Sequence, residues 1–122
     1  MLKLLEGFDD STLAVESEGE ITHKDYQEVI IPRVKEILKT HDKVNCFMHF
    51  TEGTEYSAGA VATDALFGVR HLFSWNKIAI VTDLTWMHKG ARYILPLMPF
   101  EAKMFVEGEY EFAKKWLESE PT

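Results

Sequence analysis

Lys77-Ile78-Ala79-Ile80-Val81-Thr82-Asp83-Leu84-Thr85-Trp86 carries the clearest pattern of apolar and polar positions in the chain. An apolar run stops at a polar Thr-Asp pair, and helical spacing follows. Such a run predicts a buried parallel strand ending at the rim of an α/β sheet. Open α/β sheets tend to bind ligands at that rim. Upstream, Leu2 to Leu5 is a short apolar run ending at Glu6-Gly7, and Asp9-Asp10-Ser11 reads as a turn. Thr12 to Ser17 alternates, with Leu13 and Val15 on one face. These two runs predict a hairpin, with Gly19 closing its second strand.

Thr22-His23-Lys24-Asp25 has the form of a capping box, and Tyr26, Val29 and Ile30 begin an apolar helical face. Pro32 lacks an N–H and disfavours helical dihedrals at Ile31, so a kink or break is expected there. Val34, Ile37 and Leu38 continue the face. Val44 to Phe50 predicts a strand, with Val44, Cys46 and Met48 on one side and Phe47 on the other. Beyond the polar loop Thr51 to Glu55, Ser57 is placed to cap a long helix reaching about Phe73. Its inward face is expected at Val61, Ala65, Gly68, Val69 and Leu72, widened by Ala58, Ala62 and Leu66. Thr63, Asp64, Arg70, His71 and Ser74 are expected on its wet side.

Trp75-Asn76 reads as a turn before the strand Ile78 to Val81. Thr85 is placed to cap a helix running toward Leu95, where Pro96 and Pro99 end it. Ala102 to Val106 predicts a last strand. Glu109 to Leu117 predicts a closing helix with Phe112, Ala113, Trp116 and Leu117 inward. The order ββαβαβαβα predicts an α/β fold: a mixed sheet of about five short strands flanked by helices.

Composition narrows the function classes. The 122 residues suffice for one core, so residues 1–122 are read as a single domain. A formal charge of −7 disfavours a nucleic-acid backbone as partner. No apolar run approaches the roughly 18 residues of a membrane span. Met1 to Gly7 is too short and acidic for a signal peptide, so a cytoplasmic location is expected. The single cysteine, Cys46, lies in an apolar stretch and reads as a small buried side chain.

Candidate chemistry is sparse. The five histidines never pair at i, i+3 or i+4, and neither His-Glu-x-x-His nor Cys-x-x-Cys occurs, so no metal site is expected. His41 reads as a dipole partner near a helix C-terminus. No glycine-rich phosphate loop is present, and no cofactor is expected. Ser57 has the exposure of a nucleophile but no Gly-x-Ser-x-Gly around it. A small hydrolase centred on Ser57, with His49 or His88 as base, is therefore a remote alternative. Asp83 sits where α/β enzymes often carry a carboxylate, and equally where a strand simply ends. Tyr93 to Phe100 has eight consecutive uncharged residues, more than one helix face can hide. That stretch is either a buried connection or an apolar surface, bordered by Trp86 and Met87, with Lys89 and Arg92 able to hold an anionic head group.

The ordered set of these features resembles the SpoIIAA-like proteins of the STAS superfamily. It comprises Leu4-Leu5-Glu6-Gly7, Gly19, Thr22, Asp25, Tyr26, Pro32, Ser57-Ala58-Gly59-Ala60 and Gly68-Val69-Arg70-His71. Lys77 to Asp83, Trp86, Pro99 and Trp116-Leu117 complete it. The resemblance implies a STAS-like fold without established enzymatic activity. It brings two themes: protein binding switched by serine phosphorylation in anti-sigma-factor antagonists, and hydrophobic ligands in the related CRAL-TRIO type of fold. The antagonists carry an Asp-Ser-Ser-Gly-like motif, whereas the matching positions here read Tyr56-Ser57-Ala58-Gly59. The phosphoacceptor position is Ala58, which has no hydroxyl. The expectation is a non-enzymatic binding domain with Ser57, Asp83, Trp86, Lys89, Arg92 and Tyr93 as binding residues. Its partner would be a protein or a small apolar or anionic ligand, with a homodimer also in view. The alternative is a carrier of lipid or another hydrophobic ligand using Tyr93 to Phe100.

Overall fold

The computed structural model describes residues 1–119, apart from the side chains of Ala65 and Val69. Leu2–Leu4 (β1), Thr12–Ser17 (β2) and Glu20–Ile21 (β3) lead to His23–Asp25 (α1), a π turn over Tyr26–Ile30, and Ile31–Leu38 (α2). Val44–Phe50 (β4) and Glu55–Tyr56 (β5) precede Ala58–Arg70 (α3). Trp75–Thr82 (β6), Thr85–Ile94 (α4), Glu101–Phe105 (β7) and Tyr110–Glu118 (α5) follow, with 3₁₀ turns over Leu95–Leu97 and Glu107–Glu109. The main sheet has the order β1-β2-β4-β6-β7, antiparallel only at β1–β2. Beside it, β3 and β5 form a short parallel pair that the polar sequence of the loop does not announce.

Alternation along the strands gives the sheet two apolar faces. Leu13, Val15, Val44 and Cys46 join Ile30, Val34 and Ile37 on the face of α2 and the π turn. Ala14, Phe47, Ala79, Val81 and Phe105 meet Ala113 and Leu117 of α5 on the other. Phe47 is fully buried there, with the Phe8 ring 4.8 Å and the Tyr110 ring 5.1 Å away.

The expected helix punctuation at Thr22 is present. Asp25 accepts the Thr22 amide N–H at 2.8 Å, and Thr22 Oγ1 accepts the Asp25 amide at 3.4 Å. Asp25 also accepts the Leu2 amide, which ties the sheet edge to α1. At Pro32 the chain does not break. Proline has no N–H for the carbonyl four residues back, and the backbone answers with a π turn in which the Ile31 N–H reaches the Tyr26 carbonyl. Pro32 then sits in the first turn of α2, where a missing donor costs little.

Four local expectations need correction. Trp75-Asn76 is not a turn but the start of β6, because Trp75 pairs opposite Val44 and buries against Phe67. Thr85 does not cap α4; Leu84 is the N-cap residue, and Thr82 Oγ1 accepts its amide N–H. Phe112 is 63% exposed rather than inward, with its ring edge-on to that of Phe105. The largest change is in α3. Val61 and Leu66 are exposed, and Ala60 and Phe67 are buried among the described side chains; Asp64 is exposed as expected, with its carboxylate accepting from the Tyr26 hydroxyl. This helix packs on α1 and the π turn rather than flat on the sheet, which sets a different face inward. The expected positions Ala65 and Val69 lie outside the described side chains.

Phe47→Ala leaves a cavity at the centre of the α5 face and is expected to cost about 3–5 kcal/mol. Phe112→Ala is expected to cost less than about 1 kcal/mol. Urea midpoints at constant m-value check the pair.

Candidate functional site

The roof over one half of the sheet does not reach its floor. The α4 helix buries no residue completely, and α3 packs chiefly on α1 and the π turn, meeting β6 through Phe67 and Trp75. Between them lies a cavity of about 460 Å³. Cys46 and Met48 of β4 with Ile78 and Ile80 of β6 form the floor. Tyr26 and Ile30 close one side, Phe67, Leu72 and Trp75 another, and Ile94, Leu95, Met98 and Phe100 the third. The size and apolar lining are those of sites that hold small hydrophobic ligands.

Asp64 is the one charged residue in that lining. The residue as a whole is exposed, and its carboxylate is the end held against Tyr26, whose hydroxyl donates to Oδ1 at 2.8 Å. Desolvation raises the Asp64 carboxyl pKa, and the Tyr26 hydrogen bond opposes the rise. Burial, then the neighbouring Tyr56 and Asp64, push the Tyr26 phenol far up. Burial also pushes the Cys46 thiol up, so no thiolate nucleophile forms at the cavity floor near neutral pH. This is a place to hold a molecule beside one hydrogen-bonded polar pair.

The six residues expected from sequence lie elsewhere. Ser57 Oγ accepts the Ala60 amide N–H at 3.0 Å, capping α3, and has no histidine hydrogen bond among the described residues. Asp83 Oδ1 accepts the Glu107 amide at 2.9 Å, fastening the end of β6 to the turn before α5. Trp86, Lys89 and Tyr93 recur at helical spacing on α4 and are exposed, Tyr93 by 77%. Arg92 borders a separate groove beside β7. None of the six lines the apolar cavity. Of the apolar stretch Tyr93 to Phe100, the residues that do line it are Ile94, Leu95, Met98 and Phe100, while Leu97 is 78% exposed. His88 Nε2–H donates to the Thr82 carbonyl.

A polar constellation on the α5 face escapes sequence reading. His49 sits between two carboxylates, with Nδ1 2.7 Å from Glu16 and Nε2 2.7 Å from Glu107. Lys3 meets the other oxygen of Glu16 at 3.1 Å, and the Tyr110 ring packs edge-on to the imidazole. A neutral imidazole donates from one nitrogen only, so serving both carboxylates needs the doubly protonated ring or a proton on one carboxylate. The only sequence signal is a polar residue at the last inward position of two strands. Register supplies the rest, setting Glu16 opposite His49.

The mixed sheet of order β1-β2-β4-β6-β7 with helices on both faces is an α/β arrangement that agrees with a STAS-like fold. A family model described as SpoIIAA-like matches residues 12–118, and the chain belongs to that family. Among solved structures it is similar to an uncharacterized protein of the DUF3478 family with a SpoIIAA-like fold from Shewanella loihica PV-4. The two share 23% identity with a TM-score of 0.75, over 96% of this chain and 92% of that one, a likeness of fold. No curated protein matches the chain. No described helix is long and apolar enough to cross a membrane.

Burial pushes the Glu16 carboxyl up, but hydrogen bonds from His49 and Lys3 outweigh it and hold the group below its ordinary value. A carboxyl depressed by folding adds stability above its unfolded pKa and loses it as pH falls through its folded pKa. Glu16→Gln is therefore expected to flatten the loss of stability between about pH 5 and about pH 3, read as urea midpoints. An acid slope equal to that of the parent chain contradicts the assignment.

Proposed function

We propose that this SpoIIAA-like chain is a non-enzymatic, single-domain binding protein for a small apolar ligand, held between the sheet and the α3–α4 roof. The cavity of about 460 Å³ carries the reading, because its lining is apolar except for the Tyr26–Asp64 pair. Apolar walls around a space of this size offer an apolar occupant dispersion contacts on several sides. Tyr26 and Asp64 would meet a single polar group on the ligand. The exposed cations Lys89 and Arg92, with Trp86 and Tyr93, offer an outer surface on α4 for a longer ligand's anionic end. The non-enzymatic part rests on commitments already made: Ser57 caps a helix, Asp83 holds a backbone amide, and Cys46 stays a thiol.

Gly68 gives a direct test. It lines the cavity, and a Cβ built there meets nothing within 4 Å. Gly68→Phe fills part of the space and removes a helix-weakening glycine, and the variant is expected to stay folded, which circular dichroism checks. Dansyl-labelled undecanoic acid is expected to bind the parent chain saturably at one per chain, and Gly68→Phe to weaken that binding by about tenfold or more. Failure of the parent chain to bind, or equal binding by a folded Gly68→Phe chain, overturns the reading.

A further inference from the structure

The strand β7 is the last in the sheet, and no strand pairs with its outer edge among the described residues. Such an edge offers a row of backbone N–H and C=O groups to another strand. Pairing with β6 fixes how its side chains face. Glu101 and Lys103 lie opposite Lys77 and Ala79, on the α5 face. Ala102 and Met104 lie opposite Ile78 and Ile80, on the face of α3 and α4, where Phe100 also packs. Glu101 and Lys103 are exposed, and neither makes an ion pair among the described residues. Lys103 Nζ rests over the Trp116 ring, 5.3 Å from its centre.

We propose that two copies of this chain pair antiparallel through β7, with Ala102 facing the partner's Ala102, to give one continuous sheet across a dimer. A twofold axis normal to the sheet keeps each face on its own side, so the central residue must meet its own copy. Centred on Ala102, Glu101 faces the partner's Lys103 and Lys103 faces the partner's Glu101. On the other face, Phe100 meets the partner's Met104. Neighbouring registers lack this match. Centring on Lys103 opposes two ammonium groups, centring on Glu101 opposes two carboxylates, and centring on Met104 sets Glu101 against the partner's Glu107. Opposed unlike charges stabilise a strand pair and opposed like charges destabilise it. A groove of about 610 Å³ beside β7, bordered by Arg92, Leu95 and Pro96, leaves room for the incoming apolar side chains. The pairing goes beyond the ligand reading and does not depend on it.

Sedimentation velocity on the full chain across a concentration series is the test. The parent chain is expected to dimerise, Glu101→Lys and Lys103→Glu each to weaken the dimer by about tenfold, and the double exchange to restore it. Under mild oxidation Ala102→Cys is expected to crosslink, because its own copy lies within disulfide reach. Lys103→Cys is not, since its own copy is displaced along the strand; the native Cys46 is buried. A chain that stays monomeric at the highest concentrations overturns the proposal. So does a dimer indifferent to the charge reversals, or one that Lys103→Cys crosslinks better than Ala102→Cys. None of these results bears on ligand binding.

Discussion

The central strands β4 and β6 are apolar on both faces, so both faces must be covered. That requirement is met unequally. On one side α5 lays Ala113 and Leu117 on Phe47, Ala79 and Val81, and all five are buried. On the other, α2 and the π turn cover the β2 half closely, while α3 and α4 must roof the rest. Among their described side chains Ala60 and Phe67 of α3 are buried and none of α4, and the space beneath them is the cavity. The candidate site is thus a consequence of how the sheet is covered. It is not an added feature.

Pro32 participates in that geometry from a distance. Its missing N–H is accommodated by the π turn, and the π turn carries Tyr26 and Ile30, both almost fully buried. Tyr26 reaches Asp64 on α3. That bond and the packing against α1 hold α3 at its N-terminal half, while Phe67 and Trp75 meet near its far end. Position along the helix therefore decides which residues face inward, more than its apolar periodicity does.

The fold was largely legible because its strands alternate cleanly and its helices begin at recognisable caps. Leu13 and Val15 against Ala14, and Cys46 against Phe47, announce two covered faces. Thr22 with Asp25, and Ser57, mark helix starts that the structure keeps. The face of α3 was legible in part: Gly68 and Leu72, expected inward, line the cavity, whereas Val61 and Leu66 are exposed, since its Ala and Gly residues fit any side and tertiary contacts choose. The cavity was half legible: Cys46, Ile78 and Ile80 read as inward, but sequence does not say how far a roof stands from its floor. Glu16, His49 and Glu107 come together through strand register and a turn near the end of the chain, at separations no local pattern spans.

Methyl NMR of the full chain during titration with dodecanol shows whether an apolar ligand enters between the sheet and the α3–α4 roof. Saturable shifts are expected at the Met48, Ile78 and Ile80 methyl groups that line the cavity floor. Leu13 and Ile21, buried outside the cavity, should keep their positions. Shifts spread evenly over the core, or none at the floor, would contradict a ligand site between the sheet and its α3–α4 roof.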